Sequence, residues 1–388
     1  MTYLFASWVV EASLFAPLSR RPERHQKERA DAAVHPRKGM PSPRLNAAEF
    51  RKRFLAQFQD PAFAPLAGEL DKIAATAWDA YAHSRKAPRT RKAGDEFADP
   101  NYDLSVDWLA ARTAIADAQR RHDEKSRPAI LLINCSSRSE HTCPGEMSKS
   151  YRLAEIAREV FAAAPGTVIE LLDLSRLASE YGRHIHPCKA CFSTVAALCH
   201  WPCSCYPNYS LGQTQDWMNE IYPTWVAAHG IMIITPVNWY QVSSLLKLMM
   251  DRLVCADGGN PDPTRTQGKN AELAKQIEFA GWPYPRHLAG RVFSVVVHGD
   301  VEGAENVRWS ISDWLCFMHL CPAGPTAELD RYIGYWKPYA TSHDELDADT
   351  AIQDEVRNAA RTLLDAVRAK LEGKLVTAGE NLLEPRQK

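Results

Sequence analysis

One loop of this 388-residue sequence holds residues whose types and spacing could bind a phosphate. The loop runs from residue 134 to residue 150, between a short apolar run and a helical pattern. Hydroxyls, a charged guanidinium fork and the N–H groups of a helix N-terminus together can bind a phosphate without a glycine-rich motif. The alternative is that Ser148 only caps the helix and the rest is solvated loop. The candidate phosphate ligands are Ser136, Ser137, Arg138, Ser148, Lys149 and Ser150.

A second group consists of cysteines close together in sequence. The candidate metal ligands are Cys188, Cys191, Cys199, Cys203 and Cys205, with His184, His186 and His200 near them. The apolar start of the chain, Thr2 to Leu18, precedes its positive charges, which is the wrong order for a secretory signal. The ten cysteines are therefore expected to be reduced thiols, metal ligands or redox groups in a cytoplasmic protein. Cys316 and Cys321 are expected to be core thiols.

Several common catalytic and nucleotide-binding motifs are absent from the sequence. It has no G-x-G-x-x-G, no G-x-x-x-x-G-K and no G-x-S-x-G, which argues against dinucleotide fingerprints, Walker-type sites and α/β-hydrolases. The formal net charge is −1, so no global field favours nucleic acid or an anionic membrane as a partner. No apolar run reaches the roughly 20 residues that span a bilayer.

The elements that must position these residues alternate between strands and helices from about Ala129 onward. Short apolar runs predict parallel strands, and stripes with spacings of three and four predict helices between them. This alternation predicts a doubly wound parallel α/β sheet, whose ligands bind beyond the carboxyl ends of the strands. The predicted strands are 129–134, 167–172, 230–235, 292–297 and, more weakly, 326–333. The predicted helical stripes are 153–161, 242–253, 307–318 and 352–371.

The residues before this α/β region predict an N-terminal helical extension. Residues 1–43 are expected to be disordered, because 19–43 are rich in charge and proline, and Met40 is an alternative start. Residues 44–127 are expected to form a helical arm or cap with a basic linker at 84–94, which could contact phosphate or simply be solvated. The α/β domain is expected over 128–373, followed by a tail over 374–388. The long segment 256–288 predicts a lid, a subunit contact or disorder.

The segment after the third strand carries a specific resemblance. It reads Thr235-Pro-Val, then Asn238, Trp239 and small hydroxyl residues, then Leu246-Lys247 and Asp251-Arg252-Leu253. This pattern resembles the NADPH-dependent FMN reductase family of flavodoxin-like proteins over roughly residues 129–372. The first loop is similar to that family's G-S-x-R phosphate loop, with Cys135 where glycine is usual. The resemblance implies a five-stranded sheet in the order 2-1-3-4-5.

The resemblance also implies a cofactor and its ligands. Ser136, Arg138, Ser148 and Ser150 would hold the phosphate of FMN. Pro236, Val237, Asn238 and Trp239 would border the flavin ring with backbone hydrogen bonds and an aromatic wall, although Trp239 could instead pack on the sheet edge. The loop of His298, Gly299 and Asp300 would approach the other side of the ring.

The cysteine group is similar in position to the cysteine motif of iron–sulfur flavoproteins in the same superfamily. Cys188 and Cys191 match the start of that motif, but Thr194 stands at its third position. Three alternatives stay open: an iron–sulfur cluster, a zinc ion, or no metal.

The function that the resemblance implies is an FMN-dependent NAD(P)H oxidoreductase, in which FMN carries the chemistry and no catalytic side chain is required. The electron donor would be NADPH or NADH, and the acceptor a quinone, a flavin, a nitro compound or a metal centre. A homodimer or homotetramer is expected. The alternatives are an electron-transfer iron–sulfur flavoprotein and a non-catalytic interaction scaffold.

Overall fold

The computed structural model describes residues 45–83, 89–124, 127–139, 141–142, 147–206, 216–335 and 337–375. The expected disorder of residues 1–43 and most of the expected tail lie outside these residues, as do 84–88 of the basic linker. The strands are β1 (Thr90–Lys92), β2 (Asp103–Ser105), β3 (Ala129–Asn134), β4 (Val168–Asp173), β5 (Gly230–Pro236), β6 (Val292–Gly299), β7 (Cys321–Pro322) and β8 (Glu328–Tyr332).

The helices of the described residues include all four that the apolar stripes predict in the α/β region. They are α1 (Ala47–Leu55), α2 (Ala67–Ala82), α3 (Val106–Asp123), α4 (Lys149–Ala163), α5 (Arg176–Ser179), α6 (Cys191–Thr194), α7 (Met218–Ala227), α8 (Ser244–Leu253), α9 (Ala271–Phe279), α10 (Ala304–Phe317), α11 (Tyr339–Ala348) and α12 (Thr350–Leu371).

The central sheet is parallel and has the order β4-β3-β5-β6, with β7 and β8 both on the outer edge of β6. Strand β7 pairs with the start of β6 at Val292, and β8 pairs with its end from Val295 to Gly299. The predicted order 2-1-3-4-5 is thus confirmed, with the fifth position divided into two pieces. A 3₁₀ turn at Pro325–Ala327 precedes β8 and marks the division.

Helices cover both faces of the sheet, as a doubly wound fold requires. On one face, β-strand side chains pack with Ile115 of α3, Trp225 of α7 and Ile311 of α10. On the other face they pack with Ile156 of α4 and Leu363 of α12. This arrangement explains the near-continuous apolar runs of β3, β5 and β6, because both faces of a central strand are buried. Strand β4 lies at the edge and is only partly buried.

The N-terminal extension contains the predicted helices. Asn46 caps α1 by accepting a hydrogen bond from the Glu49 N–H. Ser105 caps α3 in the same manner through the Trp108 N–H. In the described part of the basic linker, Thr90–Lys92 is exposed and forms an antiparallel ladder with β2. The indole of Trp108 donates to the Pro202 carbonyl at 2.9 Å, so α3 is anchored on the cysteine-bearing segment of the α/β region.

The segment 256–288 is folded, so the alternative of disorder was wrong. It contains α9 and a 3₁₀ turn at Pro263–Thr266. Asn260 is buried and donates its side-chain amide to the Ala197 carbonyl, and Trp282 packs with residues 195–198. This segment therefore covers the cysteine-bearing chain between β4 and α7. No helix in the described part of the chain has the length and apolar character needed to cross a membrane.

Candidate functional site

The loop after β3 is shaped by hydrogen bonds to its own side chains. Asn134, the last residue of β3, donates its amide to Asp173 at the end of β4 with a distance of 2.8 Å. Its oxygen accepts the Ser136 N–H at 3.3 Å, and the Ser136 hydroxyl accepts the Arg138 N–H at 3.2 Å. These bonds turn the chain sharply at the carboxyl end of the sheet, where ligands bind in this fold.

The N-terminus of α4 ends this loop and is buried. The Ser148 hydroxyl accepts the Tyr151 N–H at 3.0 Å, so Ser148 does cap the helix. Lys149 and Ser150 follow in the first turn and are also buried. The Lys149 ammonium lies 5.7 Å from the ring centre of Tyr335. A lysine at this position adds its charge to the positive end of the helix dipole, an arrangement that an anion would stabilise.

His298, at the end of β6, contacts this helix turn. Its Nε2 lies 2.7 Å from the Ser150 hydroxyl. Burial and the nearby charge of Lys149 lower the pKa of His298 to about 3. The imidazole is therefore neutral at neutral pH, and it adds a polar but uncharged group to a positively charged site.

The loop after β5 forms a second side of the candidate site. The Val237 N–H donates to the His298 carbonyl at 2.8 Å, which joins this loop to the end of β6. The Asn238 N–H donates to the Gln241 carbonyl at 2.8 Å. The resemblance implied backbone hydrogen bonds from this loop to a ligand, but these two N–H groups are used within the protein. The exposed Asn238 side chain is the polar group that this loop presents.

Trp239 and Tyr240 form a two-residue turn at the tip of the same loop. The Gln241 N–H returns a hydrogen bond to the Asn238 carbonyl, so the turn closes a small hairpin. Both central residues have positive φ, 49° and 64°, as in a type I′ turn, which asparagine and glycine normally occupy. The Trp239 side chain is 90% exposed, so it does not pack on the sheet edge.

One cleft of about 320 Å³ joins these parts. Of the thirteen predicted cofactor ligands only Trp239 is missing from its walls, and its turn stands beside Asn238. The cleft is within the volume range of small-molecule sites. Its lining residues are Ser136, Ser137, Arg138, Ser148, Lys149, Ser150, Pro236, Val237, Asn238, His298, Gly299, Asp300 and Ile333.

No role at this site was predicted for two residues, Cys135 and Ile333. Cys135, which stands where the resembling family has glycine, is buried in the apolar core, and its backbone carbonyl accepts the Ser243 hydroxyl at 2.6 Å. Ile333 lines the cleft but was not predicted to do so. It follows β8 directly, and this position at the carboxyl end of a strand is the feature from which its place in the cleft could have been predicted.

The cysteines between residues 188 and 205 were considered as ligands of an iron–sulfur cluster or a zinc ion, with no metal as the third alternative. Among the residues that the structure describes, which include all five, no three His, Cys, Asp or Glu side chains are arranged to hold a metal ion. The Cys188 sulfur accepts the Ala190 N–H at 3.3 Å, whereas Cys199 and Cys203 are buried in the core. A hydrogen bond with Cys205 lowers the pKa of Cys191 to about 7. Cys316 is exposed, so its predicted core position was wrong, and Cys321 is buried as predicted.

Several solved structures are similar to this chain. RosB with a bound intermediate, 8-demethyl-8-formylriboflavin-5'-phosphate, is 14% identical with a TM-score of 0.43, over 67% of this chain and 91% of RosB. An azoreductase from Bacillus anthracis is 12% identical with a TM-score of 0.35, over 61% and 99%. An NAD(P)H:quinone oxidoreductase from Methanothermobacter marburgensis is 16% identical with a TM-score of 0.32, over 67% and 98%. These sequence identities and TM-scores are too low to support a conclusion about function.

The sequence itself matches one protein family, whereas no curated protein matches it. The match covers residues 128–328, which is more than half of the chain and spans β3 to the start of β8. It therefore includes the phosphate-loop candidates, both walls of the cleft and the cysteine segment. The chain belongs to the NADPH-dependent FMN reductase family, and is thus an NAD(P)H-dependent flavin oxidoreductase.

Proposed function

We propose that the cleft between the loops after β3, β5 and β6 holds FMN, and that the enzyme passes reducing equivalents from NAD(P)H to a planar aromatic acceptor such as a quinone, a flavin or a nitro compound. The observation that carries the proposal is the composition of the cleft's walls. The loop after β3 and the first turn of α4, called here the charged end, contribute hydroxyls and cations, and the loops after β5 and β6 contribute Pro236, Val237, Gly299 and Asp300.

The charged end fits the phosphate of FMN. Ser136, Arg138 and Ser150 offer hydrogen-bond donors, and the first turn of α4 offers its N–H groups and its positive dipole end. Lys149 is only 7% exposed and lies at the same helix end, so its charge adds to the positive end of the helix dipole. A phosphate dianion would offset both charges. This combination supports an anionic ligand rather than a simple helix cap.

The other end fits a flat ring system. Pro236 and Val237 line this end together with Gly299 and Asp300. A Cβ atom added to Gly299 would lie 3.1 Å from the Val237 Cβ, so the loops after β5 and β6 are in contact and form one continuous surface. FMN, when bound, accepts a hydride from the nicotinamide and passes reducing equivalents to the acceptor. The protein's part is to bind and orient the ring and to exclude water from it.

The turn of Trp239 and Tyr240 supports an aromatic acceptor. A type I′ turn holds two large side chains at positive φ, which costs roughly 1–2 kcal/mol for each residue with a Cβ atom. Trp239 is almost fully exposed, so packing within this chain does not offset that cost. Strain of this kind accumulates at functional sites. We infer that Trp239 stacks on the planar substrate that approaches the exposed face of the flavin.

The test begins with the affinity of purified protein for FMN. The variant Arg138→Ala should bind FMN roughly ten- to a hundredfold more weakly, because a charge-assisted phosphate contact contributes about 1.5–3 kcal/mol. The matched control is Arg158→Ala on α4, where Arg158 pairs with the nearby Glu155. Titration by flavin fluorescence measures both. Equal affinity in Arg138→Ala and the wild type would show that the phosphate end is wrongly assigned.

Activity is then measured as NADPH and NADH oxidation with a quinone, a nitroaromatic compound and ferric citrate as acceptors. Turnover of the two aromatic compounds but not of ferric citrate is expected. Rapid turnover of ferric citrate alone would contradict the aromatic acceptor while leaving FMN binding intact.

A further inference from the structure

Two thiols of the cysteine group lie within reach of each other. The Cys191 and Cys205 sulfurs are 3.4 Å apart, and both residues are partly exposed. Neither residue lines the cleft assigned to FMN. A disulfide requires a sulfur–sulfur distance of about 2.0 Å, so a side-chain movement of roughly 1.4 Å would join them.

A lysine lies beside these sulfurs. The Lys269 ammonium donates to the Leu198 carbonyl at 2.9 Å, which fixes it against the cysteine-bearing chain. It interacts electrostatically with four thiols, those of Cys191, Cys199, Cys203 and Cys205. Nearby positive charge favours the thiolate, and the thiolate is the form of cysteine that attacks disulfides.

The pairing differs from the one that sequence spacing suggests. Cys188 and Cys191 have the C-x-x-C spacing typical of redox motifs. In the structure the Cys188 sulfur accepts the Ala190 N–H, and the sulfur hydrogen-bonded to Cys191 is that of Cys205. The remaining neighbours, Cys199 and Cys203, are buried and closed to a reagent in solution.

We propose that Cys191 and Cys205 form a reversible dithiol–disulfide site that reacts with small-molecule disulfides. One thiol loses its proton and attacks a sulfur of the small disulfide, which forms a mixed disulfide and releases one small thiolate. The second cysteine then loses its proton and attacks the protein-side sulfur, which closes the Cys191–Cys205 bond and releases the second thiolate. The protein dithiol is oxidised by two electrons, and the small disulfide is reduced to two thiols.

The experiment uses the reduced full-length protein and oxidised glutathione. The protein is incubated with oxidised glutathione and alkylated, and its peptides are then analysed by mass spectrometry. Two of the ten thiols should be lost, and the peptides of Cys191 and Cys205 should be joined. Dithiothreitol should restore both thiols. No thiol loss, or a Cys188–Cys191 cross-link, would overturn the proposal. So would purified protein carrying stoichiometric zinc or iron on these cysteines.

Variants separate the roles of the individual sulfurs. Cys205→Ser should stop at one glutathione bound to Cys191, and Cys191→Ser at one bound to Cys205. Two matched controls, Cys188→Ser and the exposed Cys316→Ser, should still form the Cys191–Cys205 bond. Lys269→Met should slow oxidation about tenfold, because it removes the charge that favours the thiolate. Since the mapped cross-link of the wild type does not depend on FMN, it tests this site independently of the proposed flavin cleft.

Discussion

At the scale of single residues, the chemistry of the site depends on burying polar groups in the right protonation state. Ser148, Lys149 and Ser150 are nearly inaccessible, and His298 is held neutral beside them. A charged imidazole would place a second positive charge next to Lys149, and the two charges would repel each other. A neutral imidazole instead fixes the Ser150 hydroxyl, so the positive charge of the site remains at Lys149 and Arg138.

Burial of neutral His298 has a consequence for stability against pH. Its pKa is about 3 in the folded protein and about 6.5 in the unfolded chain, so below pH 6.5 the unfolded chain binds more protons. The free energy of unfolding that His298 contributes is complete above pH 6.5 and is lost as the pH falls towards 3. From pH 7 to pH 5 this loss is up to about 2 kcal/mol.

Urea unfolding at pH 7 and pH 5 measures this effect. His298→Asn keeps a hydrogen-bonding group near Ser150 but cannot be protonated, so its stability should fall less between the two pH values than that of the wild type. The exposed His319→Asn is the control and should show the wild-type difference. A difference in His298→Asn equal to that of the wild type would contradict the buried neutral imidazole.

At the scale of elements, the turn after β5 exposes an aromatic side chain, and its backbone conformation lowers the stability of the protein. Trp239 and Tyr240 adopt positive φ, and the Tyr240 backbone packs against Gly303 of the loop after β6. A Cβ atom at Gly303 would lie 3.1 Å from the Tyr240 Cα, so glycine is required there for close approach. The turn is thus supported by the start of α10.

The variant Trp239→Gly should separate these two effects. Glycine adopts positive φ without steric cost, so the free energy of unfolding should rise by about 1 kcal/mol. At the same time, kcat/KM for an aromatic acceptor should fall about tenfold, because the stacking surface is lost. Thermal unfolding and steady-state kinetics measure the two quantities. Lower stability together with unchanged kcat/KM would contradict the strained, functional turn.

At the scale of the whole molecule, a buried ion pair joins helix α8 to the chain before α7, and the same arginine contacts the cysteine-bearing segment. Arg252, at the end of α8, pairs with Asp216, and both side chains are fully buried. The same guanidinium donates to the His186 carbonyl at 3.0 Å and lies 4.9 Å from the Tyr206 ring centre. Arg252 belongs to the D-R-L pattern that marks the family resemblance, so in this chain the pattern has a structural role outside the cleft.

Loss of one partner should therefore destabilise the protein strongly. Asp216→Asn leaves a buried guanidinium without its counter-charge, which should lower the free energy of unfolding by roughly 3–5 kcal/mol. The control lies on the same helix, where Lys247 and Asp251 form an exposed pair. Asp251→Asn should cost less than about 1 kcal/mol. Denaturant unfolding compares the two variants, and equal losses would contradict the assigned role of burial.

The predicted homodimer or homotetramer also belongs to this scale and stays a prediction. Its measurement is the mass of the purified chain in solution, by light scattering. Trp239, Tyr240 and Val301 are exposed apolar residues of the loops after β5 and β6.

The sequence by itself determined the α/β architecture. Continuous apolar runs are typical of strands buried on both faces, and the stripe of α12 follows a period of 3.6, so the central strands and their helices could be located from local patterns. Polar residues placed directly after strands then indicated the site, because the carboxyl ends of parallel strands meet at one edge. Ser136 was found in this way, whereas Asn238 and His298 were predicted from the family resemblance.

Only the tertiary structure decided which of these groups face solvent or the cleft and which bond or pack within the protein. It shows that the Val237 and Asn238 N–H groups bond within the protein, that Cys135 faces the core and that Trp239 is exposed. It also pairs Cys191 with Cys205 rather than with Cys188. These outcomes depend on contacts between residues far apart in the chain and on burial, whereas a sequence pattern reports only neighbours and periodicity.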